Sequence, residues 1–535
     1  MLPLEPTDDR VVPVFKDAAS CTKWLSQLQL TNLNLAQGTL RTRLDEFNRY
    51  PMRGKERLKT LETLRETVGI VQADFAKKLL GKKLPLGDEE FTALIALSSL
   101  WLSLLNGYLR CLQSLELGDA SLSSEATLLW HRCMFYCGLQ LGEFLRVGCE
   151  PDGKSWQRFH TLYADIEQRG LQKEPVADKL NPACRTSCRT LYTKMLLLHR
   201  ARFLGLRRNQ WPTLNRWLDN WGETYTLERS CSMTMEDARP LAVDLAGTRG
   251  LISIQSATSA ESMRFMAMVP LSKLIRVKTI LLQQGQLPLH LELGDDMSSK
   301  ECTDLFNRLH ACWCEPHKES IADEPRDAPV VELCFGLENI YAHIAHKPFT
   351  PPETLGMGDK DKQIETFGRV LDQTDRHNLF QLGFLTEQWL AEEDGLLHAQ
   401  LLRKTTSGGR VGLNQIVCVH KAEGIVYKLG VVTMTSVTRT GQLYIAVRYL
   451  PGQPGVATVR SIGGSNLLCG TAAALTLPEM PSLRIPSSII IPRDWFGIGR
   501  RIELSAKEGS KLDVVLGISV EKGLDFERVS YMPVT

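Results

Sequence analysis

The sequence predicts an α+β multidomain protein, with a helical amino-terminal region and an antiparallel β-barrel at the carboxyl end. Three observations carry that expectation. Apolar residues recur at three- and four-residue spacing almost throughout from about Asp17 to Leu227, the pattern of amphipathic helices. From Asp394 onward, short runs rich in Val, Ile, Thr and Tyr alternate with Gly and Pro, as strands and turns do. A chain of 535 residues is also too long for one hydrophobic core, so two to about four domains are expected.

Composition narrows the class. With 43% hydrophobic and 23% charged residues, the chain reads as a soluble globular protein. Its formal net charge of +2 argues against a protein built to hold a nucleic-acid polymer. The start, MLPLEPTDDRVVPVF, lacks a basic stretch followed by an apolar one, so no secretory signal is expected. Fourteen cysteines without an export signal point to a cytoplasmic protein whose thiols are mostly small buried hydrophobes.

Taken in order, residues 1–230 are expected to form paired antiparallel helices, as a bundle or short solenoid. Ala19 to Tyr50 and Lys55 to Lys82 carry the helical period, and Glu90 to Leu117 follows. Within the last, Thr92 to Leu109 has no charge over 18 residues, enough to raise a membrane span. Ser98, Ser99, Ser103 and Asn106, with Glu89, Glu90 and Arg110 at the ends, favour a buried bundle helix instead, and no membrane span is expected. Ser123-Ser124-Glu125 can cap a helix through Trp130, Met134, Leu139 and Phe144. After the turn Pro151-Asp152-Gly153, a helix through Trp156 and Tyr163 closes at Gly170, and Thr186–Leu206 with Gln210–Tyr225 supplies another pair.

Residues 231–393 read as a mixed α/β connector. Strands are expected at Leu241–Leu245 and Leu251–Ile254, and helices at Ser272–Gln284, Ser298–Cys312, Val330–His346 and Gln363–Glu393. The segment Lys347–Lys362 concentrates Pro, Gly and charge and is expected to be an exposed loop. Residues 394–535 carry the barrel. Val426–Val437 and Leu443–Leu450 form a hairpin about Thr438-Arg439-Thr440-Gly441. Further strands fall near Ala457–Ile462, Ala472–Leu477, Ser487–Ile491, Arg501–Ser505, Lys511–Ser519 and Phe526–Met532, giving a barrel or two packed small sheets.

One stretch carries a resemblance. Leu402-Arg403-Lys404, the turn Ser407-Gly408-Gly409, the strand Val426-Tyr427-Lys428-Leu429-Gly430-Val431-Val432 and the end Tyr449-Leu450-Pro451-Gly452 follow one another in a fixed order. This order resembles a divergent PilZ-type β-barrel, the bacterial receptor domain for cyclic di-GMP, over roughly Gly395 to Ile462 and more weakly to Phe526. The resemblance implies a bacterial signalling protein. A ligand with two phosphates and two guanines needs forked guanidinium groups, and Gly and Ser where the backbone approaches closely. The family pattern is Arg-x-x-x-Arg before the first strand, then Asp/Asn-x-Ser-x-x-Gly on the barrel. Here the basic residues nearest the turn are Arg403, Lys404 and Arg410, Thr405 stands at the acidic position, and Arg410 at that of the last glycine. The resemblance places the ligand on Arg403, Lys404, Ser407, Gly408, Gly409 and Arg410, or else leaves a barrel that serves protein contact.

Other chemistry-bearing groups have plainer readings. His310, Cys312, Cys314 and His317 are zinc-type ligands within eight residues, but Cys-x-Cys on a helix points its sulfurs apart. Cys133/Cys137 and Cys184/Cys188 read as helix packing, and His343 with His346 lacks a third ligand. The run His199-Arg200-Ala201-Arg202-Phe203-Leu204-Gly205-Leu206-Arg207-Arg208 is either an anion-binding patch or a solvated helix end. No Walker loop, His-Glu-x-x-His, Gly-x-Ser-x-Gly or dinucleotide fingerprint is present, so no enzyme and no resident cofactor or metal are expected. The sequence thus predicts a non-enzymatic receptor or adaptor for cyclic di-GMP whose helical region meets a protein partner. The alternative is a ligand-free scaffold.

Overall fold

The structure, a computed structural model, describes residues 4, 6–206, 210–231, 238–254, 257, 260–315, 328–350, 383–421, 426–462, 470–506 and 511–534. The chain divides into two compact units, Met1–Lys82 with Leu86–Ile321, and Lys83–Pro85 with Ala322–Thr535.

The first unit is built on helices. Asp17 accepts the Ser20 amide to start α1 (Ala18–Leu25), and Asn32 accepts that of Leu35 to start α2 (Leu33–Arg49). The expected helix over 19–50 is therefore two, because Asn32 opens a new one. Next come α3 (Gly54–Ala76), α4 (Asp88–Glu116), α5 (Ala126–Arg146) and α6 (Gly153–Gln168). A hairpin not foreseen, β1 (Val176–Asp178) with β2 (Asn181–Thr186), precedes α7 (Cys188–Ala201) and α8 (Gln210–Asn220). A small antiparallel sheet of order β3-β6-β4-β5 joins Leu227–Glu228 (β3), Leu241–Asp244 (β4), Ile252–Ser253 (β5) and Met263–Met266 (β6). Helices α9 (Val269–Gln283) and α10 (Ser299–Cys314) complete the unit, and its core is continuous from Phe15 to Cys314.

Helix α4 holds the expected apolar run. By length and composition it could cross a membrane, yet most of its apolar stretch is buried inside the unit. Leu94, Leu97, Leu100, Leu104, Leu105 and Tyr108 are fully buried, against α2, α3 and α5. Each buried leucine contributes roughly 1.5–3 kcal/mol. Small and polar residues seat the helix closely: a Cβ on Gly107 would meet Leu61 at 2.7 Å, and Asn48 donates to the Ser103 carbonyl at 2.7 Å.

The second unit contains two closed barrels. The first comprises β7 (Val330–Phe335), β8 (Glu387–Asp394), β9 (His398–Arg403), β10 (Ile416–Lys421), β11 (Tyr427–Val437) and β12 (Leu443–Tyr449), in the order β10-β11-β12-β9-β8-β7. The second comprises β13 (Gly455–Ser461), β14 (Thr471–Leu477), β15 (Ser488–Pro492), β16 (Arg501–Ala506), β17 (Lys511–Lys522) and β18 (Phe526–Pro533), in the order β13-β14-β15-β18-β17-β16. Every pairing is antiparallel, and the two strand orders are identical when each barrel is counted from its first strand. Between β7 and β8 in sequence, α11 (Leu337–Ala345) buries Leu337, Ile340, Tyr341 and Ala345 in a core shared by both barrels.

Two expectations are corrected here. Val330–His346 is not one helix, because Val330–Phe335 pairs with β10 and β8 as a strand, and Gly336 at φ 84° turns the chain into α11. Nor is Gln363–Glu393 helical to its end, since Glu387 onward pairs with β7 and β9; residues 363–382 lie outside the described residues. Both strands find their partners far along the chain, so a local pattern could not reveal them. The first barrel therefore takes two strands from before residue 394.

Candidate functional site

The Ser-Gly-Gly turn joins β9 to β10. Lys404, Ser407, Gly408, Gly409 and Arg410 are exposed, while Arg403 is only 1% exposed. The Arg403 guanidinium lies 5.0 Å from the Trp389 ring centroid, pairs with Glu387 at 3.0 Å and donates to the Gly409 carbonyl. Glu387 in turn accepts the Gly409 amide at 2.8 Å. Gly408 has φ 147°, and a Cβ there would stand 2.9 Å from Arg403 Cζ. The glycine pair thus lets the backbone fold over a buried guanidinium. Arg410 donates to the Lys83 carbonyl at 2.9 Å, leaving Lys404 and Arg410 as the turn's exposed cations.

Two cavities in the first unit are lined by described residues that carry charge. One, of about 550 Å³, is largely aromatic and apolar, lined by Trp101, Phe135, Tyr136, Met195 and Trp211 among others. Its charged lining is matched: Arg146 pairs with Glu143, Lys194 with Asp219 at 2.8 Å, and Arg65 with Asp178 at 2.5 Å. Behind it Arg65 and Arg132 share Glu62 and Asp178, and Tyr108 donates to Glu62. Burial alone would raise the Glu62 carboxyl, but Arg132 and Arg65 bring it below its ordinary value. His131, buried and beside Arg132, is pushed down to about 3. Four such charges in one place fasten the β1–β2 hairpin, through Asp178, to α3 and α5.

The other cavity, of about 670 Å³, has a different charge balance. Arg41, Arg49, Arg110 and Arg158 line it, with Asp45 as the carboxylate among the described lining residues, and Asn48, Ser103 and Asn106 beside them. Sequence reading missed it because its arginines come from α2, α4 and α6, too far apart to make a motif.

The remaining sequence candidates are absorbed by packing. Cys312 and Cys314 are buried, with burial pushing the Cys314 thiol up to about 12. His310 accepts from or donates to Ser272 at 2.9 Å and meets Glu315 at 3.3 Å, and Ser272 is itself buried. His317 lies outside the described residues, and among those described no group of His, Cys, Asp or Glu could hold a metal. In the basic run, His199 and Arg202 both meet Glu150, and Arg200 donates to the Cys312 carbonyl; Arg207 and Arg208 are outside the described residues. Cys133, Cys137 and Cys188 are buried helix-packing thiols, and His343 bonds the Phe384 carbonyl at 3.1 Å.

A helical unit followed by six-stranded antiparallel barrels, with a glycine turn between two strands of the first, is consistent with a PilZ-like receptor. Family comparison narrows this. Residues 19–230 match a model described as the N-terminal domain of the cyclic-di-GMP receptor FimW, and residues 458–534 match the FimW C-terminal β-barrel domain. The chain belongs to that cyclic-di-GMP receptor family, which is a receptor family and not a family of enzymes. No curated protein and no solved structure matches the chain.

Proposed function

We propose that this chain is a non-enzymatic, cytoplasmic receptor that binds cyclic di-GMP and passes the signal to a protein partner through its helical unit. The match of both ends of the chain to one cyclic-di-GMP receptor family carries the reading. On the first barrel, Lys404, Ser407, Gly408, Gly409 and Arg410 present cations, a hydroxyl and backbone N–H groups to the ligand, and Arg403 positions the turn. Calorimetric titration of the intact chain with cyclic di-GMP tests this beside a Lys404→Ala, Arg410→Ala variant. Charge-assisted bonds of roughly 1.5–3 kcal/mol each predict a loss of about two orders of magnitude in the variant. Equal affinities move the site off the turn. No binding to the intact chain, by calorimetry and by a second assay, overturns the receptor reading and favours a barrel for protein contact, a role to which the inward use of Arg403 is already suited.

A further inference from the structure

We infer that the cavity walled by α2, α4 and α6 is an anion site for a compact nucleotide carrying two or more phosphate groups. Arg41, Asp45 and Arg49 stand four residues apart on one face of α2. Arg110 comes from α4 and Arg158 from α6, so three helices converge their guanidiniums on one hollow. Asp45 is engaged by the Ser103 hydroxyl at 2.5 Å, and Arg158 donates to Gln140 at 3.2 Å. Arg41 and Arg49 have neither an ion pair nor a side-chain hydrogen bond among the described residues.

The contrast with the neighbouring cavity decides the reading. There each cation has a carboxylate within ion-pair distance. Here, among the described lining residues, there are four arginines and one carboxylate, and Arg41 and Arg49 make no ion pair with any described residue. Gathering like charges in a concavity is unfavourable unless an anion enters to offset them, and a cavity wall focuses their field on that anion. Guanidinium groups in particular fork onto phosphate oxygens. Asn48, 6% exposed at the cavity wall, donates its Nδ2 to the Ser103 carbonyl and packs its Oδ1 against Gly107, which fixes α2 against α4 where the arginines converge. The volume of about 670 Å³ falls within the roughly 300–1,000 Å³ of small-molecule sites. The described lining residues, apart from Leu4, lie inside the segment 19–230 that matches the receptor family's amino-terminal domain.

Only the choice of nucleotide rests on the receptor reading. Two sources supply the shared chemistry, a cyclic dinucleotide and a linear nucleoside polyphosphate. The intact chain is titrated with cyclic di-GMP and separately with GTP, beside an Arg41→Ala, Arg49→Ala variant and an Arg41→Lys, Arg49→Lys variant. Both arginines are exposed, so the variants keep the unfolding midpoint of the intact chain. At least one nucleotide binds the intact chain, the alanine variant weakens it by about tenfold or more, and the lysine variant recovers part of the loss. Equal affinity for the intact chain and the alanine variant overturns the site, as does binding of neither nucleotide to the intact chain. GTP binding lost in the alanine variant, with cyclic di-GMP silent throughout, keeps the cavity and removes the receptor reading. Cyclic di-GMP binding lost only in the Lys404→Ala, Arg410→Ala variant does the reverse.

Discussion

Arg403 has Glu387 at 3.0 Å and the Trp389 ring beneath it, and it is almost wholly enclosed. Replacing it with alanine removes the bond to the Gly409 carbonyl and leaves Glu387 without its guanidinium. Breaking a buried pair in this way costs roughly 3–5 kcal/mol, whereas Lys404→Ala on the exposed side costs almost nothing. Thermal unfolding of both variants checks the difference, and equal midpoints would remove Arg403 from the role of strut. Histidine supplies a pH dependence at the same scale. Burial lowers His160 to about 4, and burial with Arg132 lowers His131 to about 3, from an ordinary value of 6.5. Both rings are neutral in either state above pH 6.5, so their contribution is complete there. As pH falls from 6.5 towards 4 the unfolded chain takes up protons that the folded chain refuses, and stability drops by about 1.4 kcal/mol per pH unit for each ring. Denaturant midpoints of the helical unit at pH 7 and pH 5 measure this; an unchanged midpoint would show that the rings titrate normally.

Among the elements, α4 and the β1–β2 hairpin are held in opposite ways. The helix is fixed by apolar burial along Leu94, Leu97, Leu104 and Leu105, and the hairpin by Asp178 reaching Arg65 and Arg132. Leu104→Ala leaves a cavity at the centre of the unit and costs roughly 2–5 kcal/mol. Chemical denaturation followed by helical circular dichroism reads that loss. If the variant is as stable as the parent, Leu104 does not face a packed core. The run Thr92–Leu109 was legible as a buried helix because serines, Asn106 and flanking charges interrupt it. The hairpin was not, because its anchor lies 113 residues from Arg65.

For the whole molecule, the second unit is discontinuous in sequence. Leu84, fully buried, exchanges both backbone hydrogen bonds with Val411, at 2.8 and 2.7 Å. Leu84→Ala therefore weakens the carboxyl-terminal unit although it lies in the amino-terminal part of the chain, by roughly 2–3 kcal/mol. Hydrogen exchange should quicken at β10 and β11 and stay unchanged at α2 and α5. Faster exchange in the helices alone would place Leu84 in the other unit. The identical strand order of the two barrels belongs to this scale as well: their turns and strand lengths differ enough that the sequence read only as one barrel or two small sheets.

By itself, the sequence determined the helical period of the first part, the hairpin Val426–Leu450 and the resemblance to a PilZ-type barrel, because each is written in residues close together along the chain. Its α4 reading came from the same local source. Tertiary structure alone decided that β7 and β8 close the first barrel, that a second barrel repeats its topology, and that Arg403 turns inward to support its own loop. It also decided that Arg41, Arg49, Arg110 and Arg158 share one cavity. The physical reason is common to all four. Strand partners, ion pairs and the walls of a cavity are chosen by proximity in the folded chain, and distance along the sequence carries no trace of it.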